Sequence, residues 1–259
     1  MPATAPLLQH KLGLKTTTLS FDVNLACSGY VYGLSIAYAF ASQEGINNVL
    51  LLDGETMSKI VSKHDKESTP LFGDAGTATL IGKGDDFGKS IFTLHSDGSG
   101  SDVMKVPFGG YRTPSSEEGF VVKSDDNGSQ RSGEQFFMDG METFNFGVKV
   151  EPRSIKNIVA EAGLEIKDLD LIIYHQANKF MTDFFTKRLK FDPAKTPYCL
   201  EKFGNTSSAS IPLTIVSELT ETQYVQREKV LLSGFGAGLS WASVILNLSQ
   251  AKICDLKEY

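Results

Sequence analysis

Three side chains in this sequence are of the types that acyl chemistry needs: Cys27, His175 and Asn205. A thiolate can attack a carbonyl carbon, while a neutral imidazole and a carboxamide supply N–H donors for charge developing on an oxygen. Cys27 closes the alternating run Phe21-Asp22-Val23-Asn24-Leu25, which reads as a strand. It stands where an apolar helix over 28–43 begins. A thiol at a helix N-terminus faces unpaired backbone N–H groups and the positive end of the dipole, which favour its thiolate. Strand, turn, nucleophile and helix follow the logic of a nucleophile elbow, with cysteine in place of serine. Each residue also has a plainer reading: a small buried thiol, a hydrogen-bonded structural histidine, an asparagine completing a turn after Gly204.

The elements that must position these groups follow from the pattern around them. The apolar run 48–55 after the first helix predicts a βαβ unit with a parallel, doubly covered strand. Residues 71–82 are rich in small residues and glycine, and 87–95 alternates as a further strand, antiparallel to its neighbour. The stretch 97–135 is rich in Gly, Ser and Asp and reads as an insertion. It marks a seam between a first half, 1–137, and a second, 138–259. In the second half, 138–163 predicts two helices broken around Glu151-Pro152, and 169–174 a buried strand ending in His175-Gln176-Ala177-Asn178. A helix over 179–190 turns Phe180, Phe184 and Leu189 to one side and Lys179, Lys187, Arg188 and Lys190 to solvent. Asn205 precedes another helix, opened by Ser/Thr residues and Pro212. The chain closes on a hairpin of strands at 229–233 and 239–248 joined by Gly234-Phe235-Gly236-Ala237-Gly238. Cys27 and His175 thus occupy equivalent places, each at the C-terminal end of a strand before a helix. In an α/β fold such groups converge on one crevice. The glycine turn offers a backbone N–H to complete an oxyanion hole with the amide of Cys27.

Composition narrows the class. With 259 residues, 41% apolar and 22% charged, the chain is long enough for a large core or two smaller ones. A net charge of −6 argues against general nucleic-acid binding. Cysteines at 27, 199 and 254, an odd number, argue against a disulfide framework and for a reducing compartment. With no signal-peptide pattern and no bilayer-spanning apolar run, the expected location is cytoplasmic, away from the membrane. No metal-ligand spacing or phosphate-loop pattern is present, so neither a metal nor a cofactor is expected.

Taken together, Ala26-Cys27-Ser28-Gly29, Phe72-Gly73-Asp74-Ala75-Gly76, His175-Gln176-Ala177-Asn178, Asn205-Thr206-Ser207-Ser208-Ala209-Ser210-Ile211-Pro212 and Gly234-Phe235-Gly236-Ala237-Gly238-Leu239-Ser240-Trp241 resemble β-ketoacyl-acyl carrier protein synthase III, of the thiolase-like superfamily. The resemblance runs from Met1 to about Leu248. It implies an α/β, five-layered αβαβα fold of two pseudo-repeated halves. It also implies a catalytic set in which Cys27 takes an acyl group from acyl-CoA, the substrate rather than a cofactor. His175 and Asn205 would then bind the thioester carbonyl of a malonyl-carrier protein while it decarboxylates, in fatty acid or related acyl-chain synthesis. The amides of Cys27 and Ala237 would form the oxyanion hole. It further implies a homodimer and, on Lys179, Lys187, Arg188 and Lys190, docking of an acidic acyl carrier protein. Lys66 stands for an arginine that flanks the CoA adenine.

There are departures. The arginine often found just after the histidine motif is represented only by Lys179-Phe180, and Met138-Asp139-Gly140-Met141 has methionine where many members carry a polar contact to the pantetheine arm, so a specialised acyl product is a live alternative to general priming. A catalytically silent subunit completing a heteromer is a second alternative. A papain-like cysteine protease is a remote third, since it too orders Cys, His, Asn, although no tryptophan follows Cys27. Finally, only 26 residues precede Cys27, too few for a whole βαβ unit. Met1 falls where a bulky residue closes the dimer partner's acyl tunnel. The expectation is an N-terminally truncated synthase with an incomplete first half.

Overall fold

The computed structural model describes residues 1–84, 88–220 and 223–258. In chain order the elements begin with α1 (Thr4–Lys11), α2 (Gly29–Ala41), β1 (Asn48–Thr56), β2 (Asp74–Gly82) and β3 (Ile91–Ser96). Short strands follow within the Gly/Ser/Asp-rich stretch: β4 (Met104–Lys105), β5 (Lys123–Ser124), β6 (Gln130–Arg131) and β7 (Phe137–Met138). The second half holds α3 (Gly140–Glu161), β8 (Leu171–Tyr174), α4 (Lys179–Leu189), α5 (Leu200–Phe203), α6 (Ser210–Glu218), β9 (Val230–Gly236) and β10 (Ser240–Leu246). Phe87, the start of one expected strand, lies outside the described residues; the strand itself begins at Ile91.

The central sheet runs β3-β10-β9-β8, with β8 parallel to β9 and the other pairs antiparallel. Successive side chains of a strand point to opposite faces, and here both faces are apolar. Ile172, Tyr174, Leu231 and Phe235 pack on one side with Ile155 and Ile158 of α3 and Met181 and Phe185 of α4. Leu171, Ile173, Val230 and Leu232 pack on the other with Tyr30, Val31 and Leu34 of α2 and Ile211 of α6. Beyond α2 and α6 lies a second sheet, the antiparallel pair β1-β2. The described residues therefore stack as helix, sheet, helix, sheet. The far face of β1-β2 exposes Leu50, Leu52 and Leu80, so the first half carries the smaller, less covered sheet. None of the helices is long and apolar enough to cross a membrane, among the described residues.

Three local expectations are corrected. Residues 21–25 form no strand, and none of the four sheets among the described residues includes them. β1 pairs antiparallel with β2 rather than parallel, and it alternates exposed and half-buried rather than being covered on both faces. The helix across Glu151-Pro152 is continuous, with Pro152 inside it. A proline there costs about 3 kcal/mol of helix stability. Burial of Ile155, Ile158 and Val159 against the sheet on one side of it, and of Gly147 on the other, holds the axis through.

Pro152 follows a buried acid. Glu151 is 1% exposed, and neither carboxylate oxygen has a hydrogen-bond partner. It faces Tyr174 on β8, whose hydroxyl is also unpartnered, and Ser233 on β9, which is bonded to Ser243 on β10 at 2.7 Å; Ser154 on its own helix bonds Ser243 in turn. Burial pushes Glu151 from its ordinary 4.5 up to about 7, against a smaller opposing pull from the Ser233 hydroxyl. An acid raised on folding stabilises the protein fully below its unfolded value, and that contribution is lost as pH rises through the folded one. The melting temperature is therefore expected to fall between pH 5 and 8, by a free energy on the order of 3 kcal/mol. Glu151→Gln should flatten that slope; equal slopes in thermal melts of both proteins would show that Glu151 does not carry it.

Candidate active site

Cys27 lies on the turn just before α2, half-buried, with Ser28 beneath it bonded through Oγ to Ser240 Oγ at 2.7 Å. Its backbone rests directly on β9. A Cβ added at Gly234 would lie 2.7 Å from the Cys27 carbonyl oxygen, and one at Gly236 would lie 2.8 Å from Cys27 Cβ and 3.0 Å from Sγ. The glycines of the hairpin therefore serve close approach of two backbones, and only glycine fits.

The sequence His175-Gln176-Ala177-Asn178 assigns one task to each polar residue. His175 closes β8 and gives its backbone N–H to the Ser233 carbonyl at 2.7 Å. Gln176, fully buried, ties the Tyr174 carbonyl and the Cys199 N–H. Asn178 caps α4, accepting the Met181 N–H at 2.9 Å. The His175 ring is held by Ser210 Oγ, 2.7 Å from Nδ1. That hydroxyl also accepts the Gln176 N–H at 3.2 Å, and when its own proton goes to Nδ1 the ring hydrogen stands on Nε2. Burial lowers the imidazole to about 3, so the ring is neutral at physiological pH.

Asn205 sits where the second half meets the first. Its backbone forms a parallel bridge with Phe72, giving its N–H to the Leu71 carbonyl at 2.8 Å and accepting the Gly73 N–H at 3.0 Å. A side chain at Gly73 would strike the Phe203 carbonyl, which explains the glycine of Phe72-Gly73-Asp74. The Asn205 side chain accepts the Ser207 N–H on Oδ1 at 2.9 Å and directs Nδ2 toward the Ala177 carbonyl at 3.4 Å.

Cys27, His175, Asn205 and Ala237 all line one cavity of about 340 Å³, walled by apolar side chains such as Met57, Phe72, Phe136 and Met138. A thiol, an imidazole, a carboxamide and a turn amide lining one cavity are the groups that can form and break a thioester while N–H donors hold the oxyanion. The expected low thiol value is not found. Burial pushes Cys27 up to about 12, and the Glu55 carboxylate adds to this, while the Ser207 hydroxyl pulls the other way. Desolvation by the surrounding cavity walls is the largest influence on this thiol. At rest Cys27 is a neutral thiol.

The expected cations lie elsewhere. Lys179, Lys187, Arg188 and Lys190 are exposed along α4, where Lys179 pairs with Asp183 at 3.4 Å and lies over the Tyr198 ring. Lys66 stands apart, beside Lys63 and His64 at a separate groove, its Nζ bonded to the Asn127 carbonyl. Sequence reasoning missed Ser207, Ser210 and Glu55. The first two lie in a polar run that reads only as a helix opening, and Glu55 reads only as the polar end of an apolar strand.

Two family models match this chain: 3-oxoacyl-[acyl-carrier-protein] synthase III over residues 21–100, and the C-terminal part of the same synthase over 159–248. A putative 3-oxoacyl-[acyl-carrier-protein] synthase 3 of Campylobacter jejuni is 37% identical over 252 residues, which are 95% of this chain and 69% of that one. A crystal structure of a 3-oxoacyl-(acyl-carrier-protein) synthase III superposes with a TM-score of 0.92 at 35% identity, covering 95% of this chain and 74% of the other. A 3-oxoacyl-(acyl-carrier protein) synthase of Burkholderia xenovorans superposes with a TM-score of 0.88 at 35% identity, covering 98% of this chain and 71% of the other.

Proposed function

Because this chain belongs to the 3-oxoacyl-[acyl-carrier-protein] synthase III family, we propose that it condenses an acyl-CoA primer with malonyl-acyl carrier protein through an acyl-Cys27 intermediate. Cys27 sulfur attacks the acyl-CoA carbonyl, and the departing coenzyme A sulfur takes up the proton that the thiol gives up. Malonyl thioester then binds with its carbonyl oxygen on the N–H groups of His175 and Asn205. As carbon dioxide leaves, the electrons of the broken bond pass into the enolate, whose oxygen those donors stabilise. The enolate carbon attacks the acyl-Cys27 carbonyl. The resulting oxyanion lies against the amides of Cys27 and Ala237; its collapse frees a β-ketoacyl carrier protein and expels the Cys27 sulfur as a thiolate, which takes a proton from solvent to return to the thiol.

The observation that carries this reading is the convergence of Cys27, His175 and Asn205 on one cavity between two glycine-floored backbones. Acyl carrier protein docks on the α4 cations, coenzyme A uses the groove at Lys66, and the enzyme works as a homodimer. One observation favours a specialised acyl product over general priming. Met141 and Phe180 are about two-thirds exposed, and Phe180 packs 5.7 Å from Phe144 of the cavity wall, so this part of the rim is apolar.

The test is incubation with a panel of acyl-CoAs, mapping of the adduct by mass spectrometry, and then addition of malonyl-carrier protein or of a peptide substrate. An acyl group on Cys27 that passes into a β-ketoacyl product supports the reading. Peptide cleavage without an acyl-CoA adduct would replace it with a protease.

A further inference from the structure

Ser207 touches every member of the reactive set. Its N–H orients Asn205, its carbonyl lies within reach of the His175 ring, and its hydroxyl lies 3.7 Å from Cys27 Sγ. It does so in a left-handed backbone conformation, φ 50°, which a serine adopts only where its surroundings hold it there. What holds it lies in the other half of the chain. Glu55, near the end of β1, accepts the Ser208 hydroxyl at 2.8 Å and the Ser208 N–H at 3.4 Å, both on Oε1.

Glu55 is an unexpected residue for this place. Along β1 the half-buried positions Val49, Leu51, Asp53 and Glu55 face inward. Glu55 lines the reactive cavity itself, so its charge acts directly on Cys27 and opposes the thiolate. A carboxylate placed to activate the nucleophile would do the opposite. Its bonds, all to the turn of Ser207–Ala209, point to the task that its charge works against.

We propose that Glu55 is a positioning residue for the condensing site: its carboxylate anchors the Ser207–Ser208 turn across the two halves, and through Ser207 fixes Asn205, His175 and Cys27 in one geometry. The role rests on the condensation read above, but part of its test needs no turnover. Glu55→Ala is expected to raise amide hydrogen exchange at Ser207 and Ser208. It should leave Cys27 acylation in place and cut condensation on the order of a hundredfold, the scale of a misplacement of about 1 Å. Glu55→Gln keeps an acceptor oxygen without the charge. It should restore most of the condensation rate and the exchange protection, and speed alkylation of Cys27 by iodoacetamide roughly threefold at fixed pH. The other titratable groups nearby are His175, neutral and just after β8, and Asp53 on β1, which burial and the Glu55 charge push up to about 6. Alkylation read at pH 8, where Asp53 is ionised in both proteins, therefore reports the Glu55 charge.

Ser208→Ala, which removes the donor and leaves the carboxylate, provides a second variant should Glu55→Ala lose its fold; it should repeat the exchange increase in part. Wild-type exchange at Ser207 and Ser208 in both Glu55→Ala and Ser208→Ala would overturn the proposal, as would equal loss of condensation in Glu55→Gln and Glu55→Ala. A wild-type chain that acylates no cysteine and decarboxylates no malonyl thioester would instead sink the condensation reading, leaving the exchange data to judge the anchor.

Discussion

Cys27→Ser is expected to abolish acyl-enzyme formation while leaving the fold intact. Oxygen is smaller than sulfur, and the floor of Gly234 and Gly236 admits it without a clash. What is lost is the reactivity. A serine hydroxyl ionises far above the range of a thiol, and no carboxylate–imidazole relay stands ready to take its proton: the His175 ring is bonded through Nδ1 to Ser210 rather than to a carboxylate, and burial makes it a weak base. Acylation should drop by about three orders of magnitude or more, the scale seen when a nucleophile is removed from a concerted set. Intact-mass measurement after incubation with acyl-CoA reads this directly. A stable acyl group on any other residue of the variant would overturn the assignment of the nucleophile.

The second large effect separates the two half-reactions. His175→Ala and Asn205→Ala should each still accept an acyl group on Cys27, because neither side chain holds the thiol. Each should lose decarboxylation on the order of a hundredfold or more, the cost of removing one oxyanion donor from a preorganised pair. Neutrality is what suits His175 to the role. Burial keeps its ring uncharged down to about 3, so across the physiological range it donates one hydrogen bond without presenting a cation that would trap the malonyl carboxylate. The assay is release of carbon dioxide from malonyl thioester beside acyl transfer to Cys27. Failure of acylation with decarboxylation preserved would reverse the two roles.

That Cys27, His175 and Asn205 meet at one cavity was legible because the polypeptide marks them locally: a cysteine before an apolar helix, a histidine closing a buried strand, an asparagine between glycine and a serine-rich helix start. What joins them was not legible. Ser210 and Glu55 reach their partners, and the Ser207 hydroxyl reaches Cys27, across long sequence separations, and serine at a helix opening has a sufficient local explanation. The thiol shows the same limit from the other side. Its place before α2 is visible in the sequence, but the desolvation that outweighs the dipole depends on the walls that close over it. The run from Phe21 to Leu25 has the alternation of a strand, yet a strand exists only when a neighbour offers its N–H and C=O groups. Pro152 misleads in the opposite sense, since propensity predicts a break that packing on the sheet overrides.

The glycine floor has a consequence for resistance to inhibitors. A compound that bonds to the Cys27 sulfur and lies along Gly234 and Gly236 would touch backbone atoms rather than side chains. Escape from such a compound normally exchanges a contacting side chain for a larger or differently charged one. Here every such exchange adds a Cβ within about 3 Å of the nucleophile's own atoms. A change large enough to expel the inhibitor would first displace the sulfur that the enzyme needs.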